Sequence, residues 1–199
     1  SVKNEDVIQG QILWLPPFKE MPAGAVKRIR GKGPVEEGMF DHPLVVCSRP
    51  AKKQNLVQFH LITSFRGKKL NEIYGKSNKW HRKKRTHYLP ISPTPAHPDG
   101  VSAHPEGILA RNPFPTLALA NGSTLRWNSY VNVVEVFEVD WSLLQTHSNP
   151  NTPGVNKYRL DKESLEHLHR KSEELTKYVP GPQFQPGPDE VSLKISSPL

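Results

Sequence analysis

The sequence predicts a mainly β domain closed by a C-terminal helix, an architecture compatible with a small β-barrel. Three observations carry this. Short runs rich in β-branched and aromatic residues alternate with polar segments that carry proline and glycine. The longest of them, "SYVNVVEVFEVDW" over 129–141, lies late in the chain. A single amphipathic helical pattern then follows, opened by Asp161.

The elements fall in order along the chain. "VIQGQILWLPPF" (7–18) reads as a strand of about eight residues, stopped by Pro16 and Pro17. Residues 19–39 hold four glycines and two prolines without periodicity, which predicts one long loop. Connections of that length commonly carry function or lack fixed structure. "PLVVCS" (43–48) is continuously apolar, while "NLVQFHLITSF" (55–65) alternates, with Val57, Phe59, Leu61 and Thr63 on one face. These two form an antiparallel pair about the polar turn "RPAKKQ". His60 falls on the opposite face with Leu56 and Ile62 and reads as a structural residue.

Residues 66–128 read as an irregular insertion. It holds a basic stretch, a short strand candidate "THYLPI" (86–91) and the turn-rich "SPTPAHPDGVSAHPEG", in which Pro98, Asp99 and Gly100 suit a type I turn. In 129–141, Val131, Val133, Phe137 and Val139 share a parity that Glu135 interrupts, which predicts one long, curved strand. After the loop "THSNPNTPGVNKY", Asp161 caps a helix over 161–178 with Leu165, Leu168 and Leu175 on one stripe, and Leu160 with Leu165 forms a hydrophobic staple. The organisation is one domain over 1–179 followed by a proline-rich tail, 180–199, that forms an extended strap or stays mobile.

The formal charge of +8 favours polyanionic partners, nucleic acid first and anionic membrane second. No apolar stretch approaches the roughly 18–20 residues of a membrane span, and no signal-like segment opens the chain, so a cytoplasmic or nuclear protein is expected. The single cysteine, Cys47, excludes an internal disulfide and reads as a small core residue.

"GKSNKWHRKKRTHY" (75–88) is the most specific local feature. It joins Lys76, Lys79, Arg82, Lys83, Lys84 and Arg85 to Trp80, His81 and Tyr88. Cations hold phosphates and planar rings stack unpaired bases, so the combination suits single-stranded RNA. Lys68 and Lys69 extend the same face. A solvated charged loop and a nuclear-localisation signal are the plainer readings of "KKR". No cofactor or metal is predicted: thiolate sites need more cysteines, His167 and His169 at i, i+2 face different sides of a helix, and His97 and His104 lack a third ligand. "RGKGP" does not lead into a helix as a phosphate loop would, and there is no G-x-S-x-G nucleophile elbow.

Several pieces resemble the MazF/PemK-type toxin ribonucleases, whose fold is an SH3-like barrel with a terminal helix. "GQILWLPPF" looks like the opening strand of that family, "DHPLVVCS" resembles its arginine-proline-apolar strand, and "HLITSF" is similar to the next strand with its threonine. "VNVVEVFEVDWSLL", a gap and "LDKESLEHL" resemble the closing strand and helix, whereas 66–128 has no counterpart. The resemblance implies an endoribonuclease, a homodimer and an inhibitory protein partner. It carries the site threonine over to Thr63, but where the family has an arginine before the proline this chain has His42.

Metal-independent RNA cleavage needs a base for the 2′-OH proton, an acid for the leaving 5′ oxygen and donors for the phosphorane charge. A histidine can perform either proton transfer, so His42 is a credible replacement, with Arg28, Arg30 or Arg66 supplying the cation. The plainer reading makes Asp41 and His42 a turn before Pro43 and Thr63 a β-propensity choice. On that reading the domain is a non-catalytic barrel that binds a protein partner or nucleic acid.

Overall fold

The computed structural model describes residues 2–100, 112–148 and 158–185. The chain forms β1 (Gln11–Leu15), β2 (Lys27–Arg30), β3 (His42–Ser48) and β4 (Leu56–Thr63), then α1 (Leu70–Ile73), α2 (Lys79–Arg85) and β5 (Tyr88–Ile91). It continues through β6 (Ser129–Asn132), β7 (Val136–Asp140), β8 (Gln145–Thr146), β9 (Tyr158–Arg159) and α3 (Lys162–Thr176). Among the described residues nine strands join one sheet in the order β2-β7-β4-β3-β1-β8, with β6 beside β4 and β5, and β9 beside β1.

The mainly β architecture with a C-terminal helix agrees with the sequence reading. The sheet is not closed, however: its path ends at β2 and β8. The outer edge of β1 is shared by two strands of two residues each, β8 and β9, and neither pairs with β2.

Strands β1, β3 and β4 are buried on both faces, which explains why "PLVVCS" is continuously apolar. Ile12, Val45 and Ile62 point into one core with Leu89, Leu117, Val131 and Leu168, while Leu13, Leu44, Val57 and Phe59 point into the other with Phe137 and Val139. The register Leu44↔Leu61, Val45↔His60, Val46↔Phe59 sets this alternation. The segment expected as a mere insertion supplies much of the first core, through Leu89, Ile91, Phe114, Leu117, Leu119 and Leu125.

Several features differ from expectation, among them the helices α1 and α2 inside the segment read as irregular. The long loop 19–39 contains β2, whose sequence "KRIR" has no apolar alternation; it forms because the free edge of β7 offers it a ladder. The long strand over 129–141 is two strands, broken at the point where Glu135 interrupts the valine parity. β4 bridges the break, pairing with β7 through Leu56–Phe59 and with β6 through Ile62 and Thr63. His60 lies between, fully buried, and its Nδ1–H donates to the Glu135 carbonyl at 2.7 Å. Finally, Leu175 is 37% exposed rather than on a buried stripe, because α3 packs through Leu168, Lys171 and Ser172.

Asp161 caps α3 by accepting from the Ser164 amide at 2.7 Å. Beyond α3, Gln183 bridges to Pro50, and the Phe184 amide donates to the Arg49 carbonyl at 2.8 Å. The Arg49 guanidinium is buried without a carboxylate: it donates to the Asn4, Val7 and Gln54 carbonyls and sits over the rings of Trp141 and Phe184, 5.3 and 4.2 Å from their centroids. Most of the predicted loop "THSNPNTPGVNKY", His104 and tail residues 186–199 lie outside the described residues. Among those described, no helix is long and apolar enough to cross a membrane.

Candidate functional site

The β3–β4 register, carried two residues past the Leu44↔Leu61 pair, sets His42 beside Thr63. The two side chains line one pocket of about 150 Å³ with Gly38, Met39, Phe65, Tyr88 and Asn132. His42 Nδ1–H donates to the Phe40 carbonyl at 2.8 Å. A carbonyl only accepts, so the neutral ring keeps its lone pair on Nε2, the nitrogen able to take a proton. The Thr63 hydroxyl has one long internal contact, accepting from the Phe65 amide at 3.5 Å.

The backbone around this pocket is strained. Asp41, Phe65 and Arg66 have φ of 59°, 47° and 57°, three of the five non-glycine residues in the left-handed region among those described. Each such residue costs roughly 1–3 kcal/mol and persists only where its surroundings over-determine it. Here they do. Asp41 donates its amide to the Pro16 carbonyl and accepts from Trp14 Nε1, both at 3.2 Å. Phe65 packs among Tyr88, Tyr130 and Tyr74 at 5.2, 5.7 and 6.2 Å between ring centroids. Gly67 closes the turn at φ 80° beneath Trp127, where an added Cβ would come within 3.1 Å of the indole.

Tyr88 and Asn132 also line a second, larger cleft of about 740 Å³, so the two cavities are contiguous. Its walls carry Lys32, Trp80, Lys83, Lys84, His87 and Glu135. α2 presents the indole: the Asn78 side chain caps the helix by accepting from the Trp80 and His81 amides at 2.8 and 3.3 Å. Trp80 is 58% exposed, and the Lys84 ammonium lies 5.1 Å from its ring centroid. Burial, then the charges of Lys84 and Lys83, lower the pKa of His87, with the Glu135 charge opposing them.

The remaining residues of the expected binding surface divide. Lys79, Arg82 and Lys83 are exposed on α2, and Arg30 and Arg66 are exposed elsewhere. Tyr88 is half-buried, and burial followed by a hydrogen bond with Tyr74 raises its hydroxyl pKa. Arg28 is engaged with the Glu135 carboxylate, donates to the Pro34 carbonyl at 2.9 Å and lies over the Phe137 ring. Arg85, expected on the binding surface, is instead 1% exposed. Its Nε and Nη2 bond Asp99 at 2.7 and 2.9 Å, and its Nη1 donates to the Tyr74 and Gly75 carbonyls at 3.0 and 2.7 Å. The pair holds the Asp99 carboxyl below its ordinary pKa. His97 completes the clasp: Nε2–H donates to the Arg85 carbonyl at 2.9 Å while Nδ1 accepts from the Asp99 amide at 3.0 Å.

Sequence reasoning missed Asn132, Glu135, Lys32 and His87. The break in the valine parity at Glu135 was the available signal for the first two. Among the described residues no group of three or more His, Cys, Asp or Glu side chains could hold a metal ion. Cys47 is buried, and burial pushes its thiol pKa up, so it is no nucleophile. No family model, curated protein or solved structure matches the chain.

Proposed function

We propose that the protein is a metal-independent endoribonuclease of single-stranded RNA, a divergent relative of the MazF/PemK-type toxins whose SH3-like barrel is here an open sheet. The observation that carries this reading is the shared pocket of His42 and Thr63, contiguous through Tyr88 and Asn132 with a basic, aromatic cleft. RNA phosphates lie along Lys32, Lys83, Lys84 and Arg66, and bases meet the exposed rings. At the pocket, His42 Nε2 takes the 2′-OH proton, the 2′ oxygen attacks phosphorus, and the Thr63 hydroxyl donates to a non-bridging oxygen. The bond to the 5′ oxygen breaks, that oxygen takes a proton from water, and a 2′,3′-cyclic phosphate remains. By the same resemblance, a homodimer and an inhibitory protein are expected partners.

The test is incubation with mixed-sequence single-stranded RNA in EDTA and mapping of fragment ends. The parent makes discrete cuts, and His42→Ala lowers the rate by about 10²-fold or more at unchanged thermal stability. Intact RNA with the parent ends the nuclease reading.

The replacement of the family arginine by His42 favours a second reading, a non-cleaving module that binds in the same groove. A salt titration separates its forms: nucleic-acid binding weakens steeply as salt rises, and binding of an apolar peptide does not.

A further inference from the structure

Among the described residues Glu135 is the one acid lining the larger cleft, amid cations that suit phosphate. A carboxylate there repels a polyanion, so its position asks for a ligand group it can accept from. It is held from two sides: one oxygen is engaged by Arg28, and the other accepts from Asn132 Nδ2 at 2.8 Å. A carboxylate has about four lone-pair sites, so acceptor capacity remains on both oxygens. Its side chain is 27% exposed. The same cleft offers the Trp80 indole, which is 58% exposed, with the Lys84 ammonium 5.1 Å and the His81 ring 5.4 Å from its centroid.

We propose that this cleft is a base-reading subsite, in which one unpaired nucleobase stacks on Trp80 and guanine is preferred because the Glu135 carboxylate accepts from its edge. Of the four bases, guanine alone presents two adjacent N–H donors, N1–H and the 2-amino group, matching the two oxygens of a carboxylate. Uracil offers one ring N–H, and adenine and cytosine one amino group beside an acceptor. Lys83 and Lys84 take the flanking phosphates. Because Tyr88 and Asn132 join this cleft to the His42 pocket, the bound guanine fixes which phosphate arrives there. The inference rests on the single-stranded RNA reading, not on cleavage itself.

The experiment uses fluorescein-labelled 2′-O-methyl pentanucleotides, which cannot be cut because the attacking hydroxyl is blocked. UUGUU, UUAUU, UUCUU and UUUUU are titrated by anisotropy in EDTA. UUGUU binds about tenfold tighter than the others. Trp80→Ala weakens UUGUU about tenfold, and Glu135→Gln, which removes the charge and replaces one acceptor oxygen by an amide donor, abolishes the guanine preference so that UUGUU and UUUUU bind alike. Thermal melting confirms that both variants are folded. Equal binding of all four probes, or a Trp80→Ala variant that binds like the parent, overturns the subsite. Selective binding without cuts in ribose RNA keeps the subsite and ends the nuclease reading; unchanged cut positions in both variants do the reverse.

Discussion

The two halves of the groove are built on opposite principles. The His42 pocket sits where β3 begins and β4 ends, and its special geometry is stored in the backbone at Asp41 and Phe65–Gly67. The Trp80 cleft is walled by the seven-residue α2, whose backbone is ordinary and whose position is set by side chains. Seven residues are too few for a helix to persist alone. What holds it is the Arg85–Asp99 clasp. The difference teaches that the proposed proton chemistry would rest on a strained backbone frame, whereas the proposed binding would rest on a short helix fastened by the bonds around Arg85.

The most severe way to break the comparison is Arg85→Ala. It strands the Asp99 carboxylate and the Tyr74 and Gly75 carbonyls, at a cost of about 3 kcal/mol or more. In urea unfolding the midpoint falls, and RNA affinity falls with it.

Acid comes next, acting on His60, which is buried where β4 passes from β7 to β6. Its pKa is lowered from 6.5 to about 4, first by burial and then offset by its bond to the Glu135 carbonyl. The folded state therefore holds His60 neutral where the unfolded chain protonates it. Its contribution is complete above pH 6.5, declines as pH falls and levels off near pH 4, a total of about 3 kcal/mol. Unfolding curves across this window should show that loss, and His60→Leu should flatten it.

Gly67→Ala is smaller, about 1–2 kcal/mol, from the left-handed backbone and the contact with Trp127. By disturbing the strained turn it should slow cleavage more than it weakens binding. Asn78→Ala, which uncaps α2, costs about 1 kcal/mol and should weaken binding without changing the pH profile of cleavage. A variant of each kind that moves the other property would erase the distinction between the two halves.

Much of the sheet was legible in the sequence because β3 carries its burial as a continuous apolar run and β4 as an alternation. β2 was not, since "KRIR" is a strand only by virtue of the β7 edge beside it. The core role of residues 114–125 was hidden as well, because Phe114, Leu117, Leu119 and Leu125 are spaced among prolines and polar residues and reach the core from irregular backbone. In the site, adjacency of His42 and Thr63 follows from strand register, a property that spacing encodes. Arg85 could not be told from Lys83 and Lys84 by type. One helical position turned it toward Asp99, and only the fold reveals which cation of a run faces inward.

Arg49 holds Asn4 and Phe184 on a single guanidinium, so points nearly a whole domain apart in sequence are neighbours in space. A chain arranged in this way tolerates circular permutation: residues 4 and 184 can be joined by a short linker and the backbone reopened at an exposed turn. Such a permutant would keep the cradle as an internal crossing point, and the groove, formed from other elements, would be inherited whole.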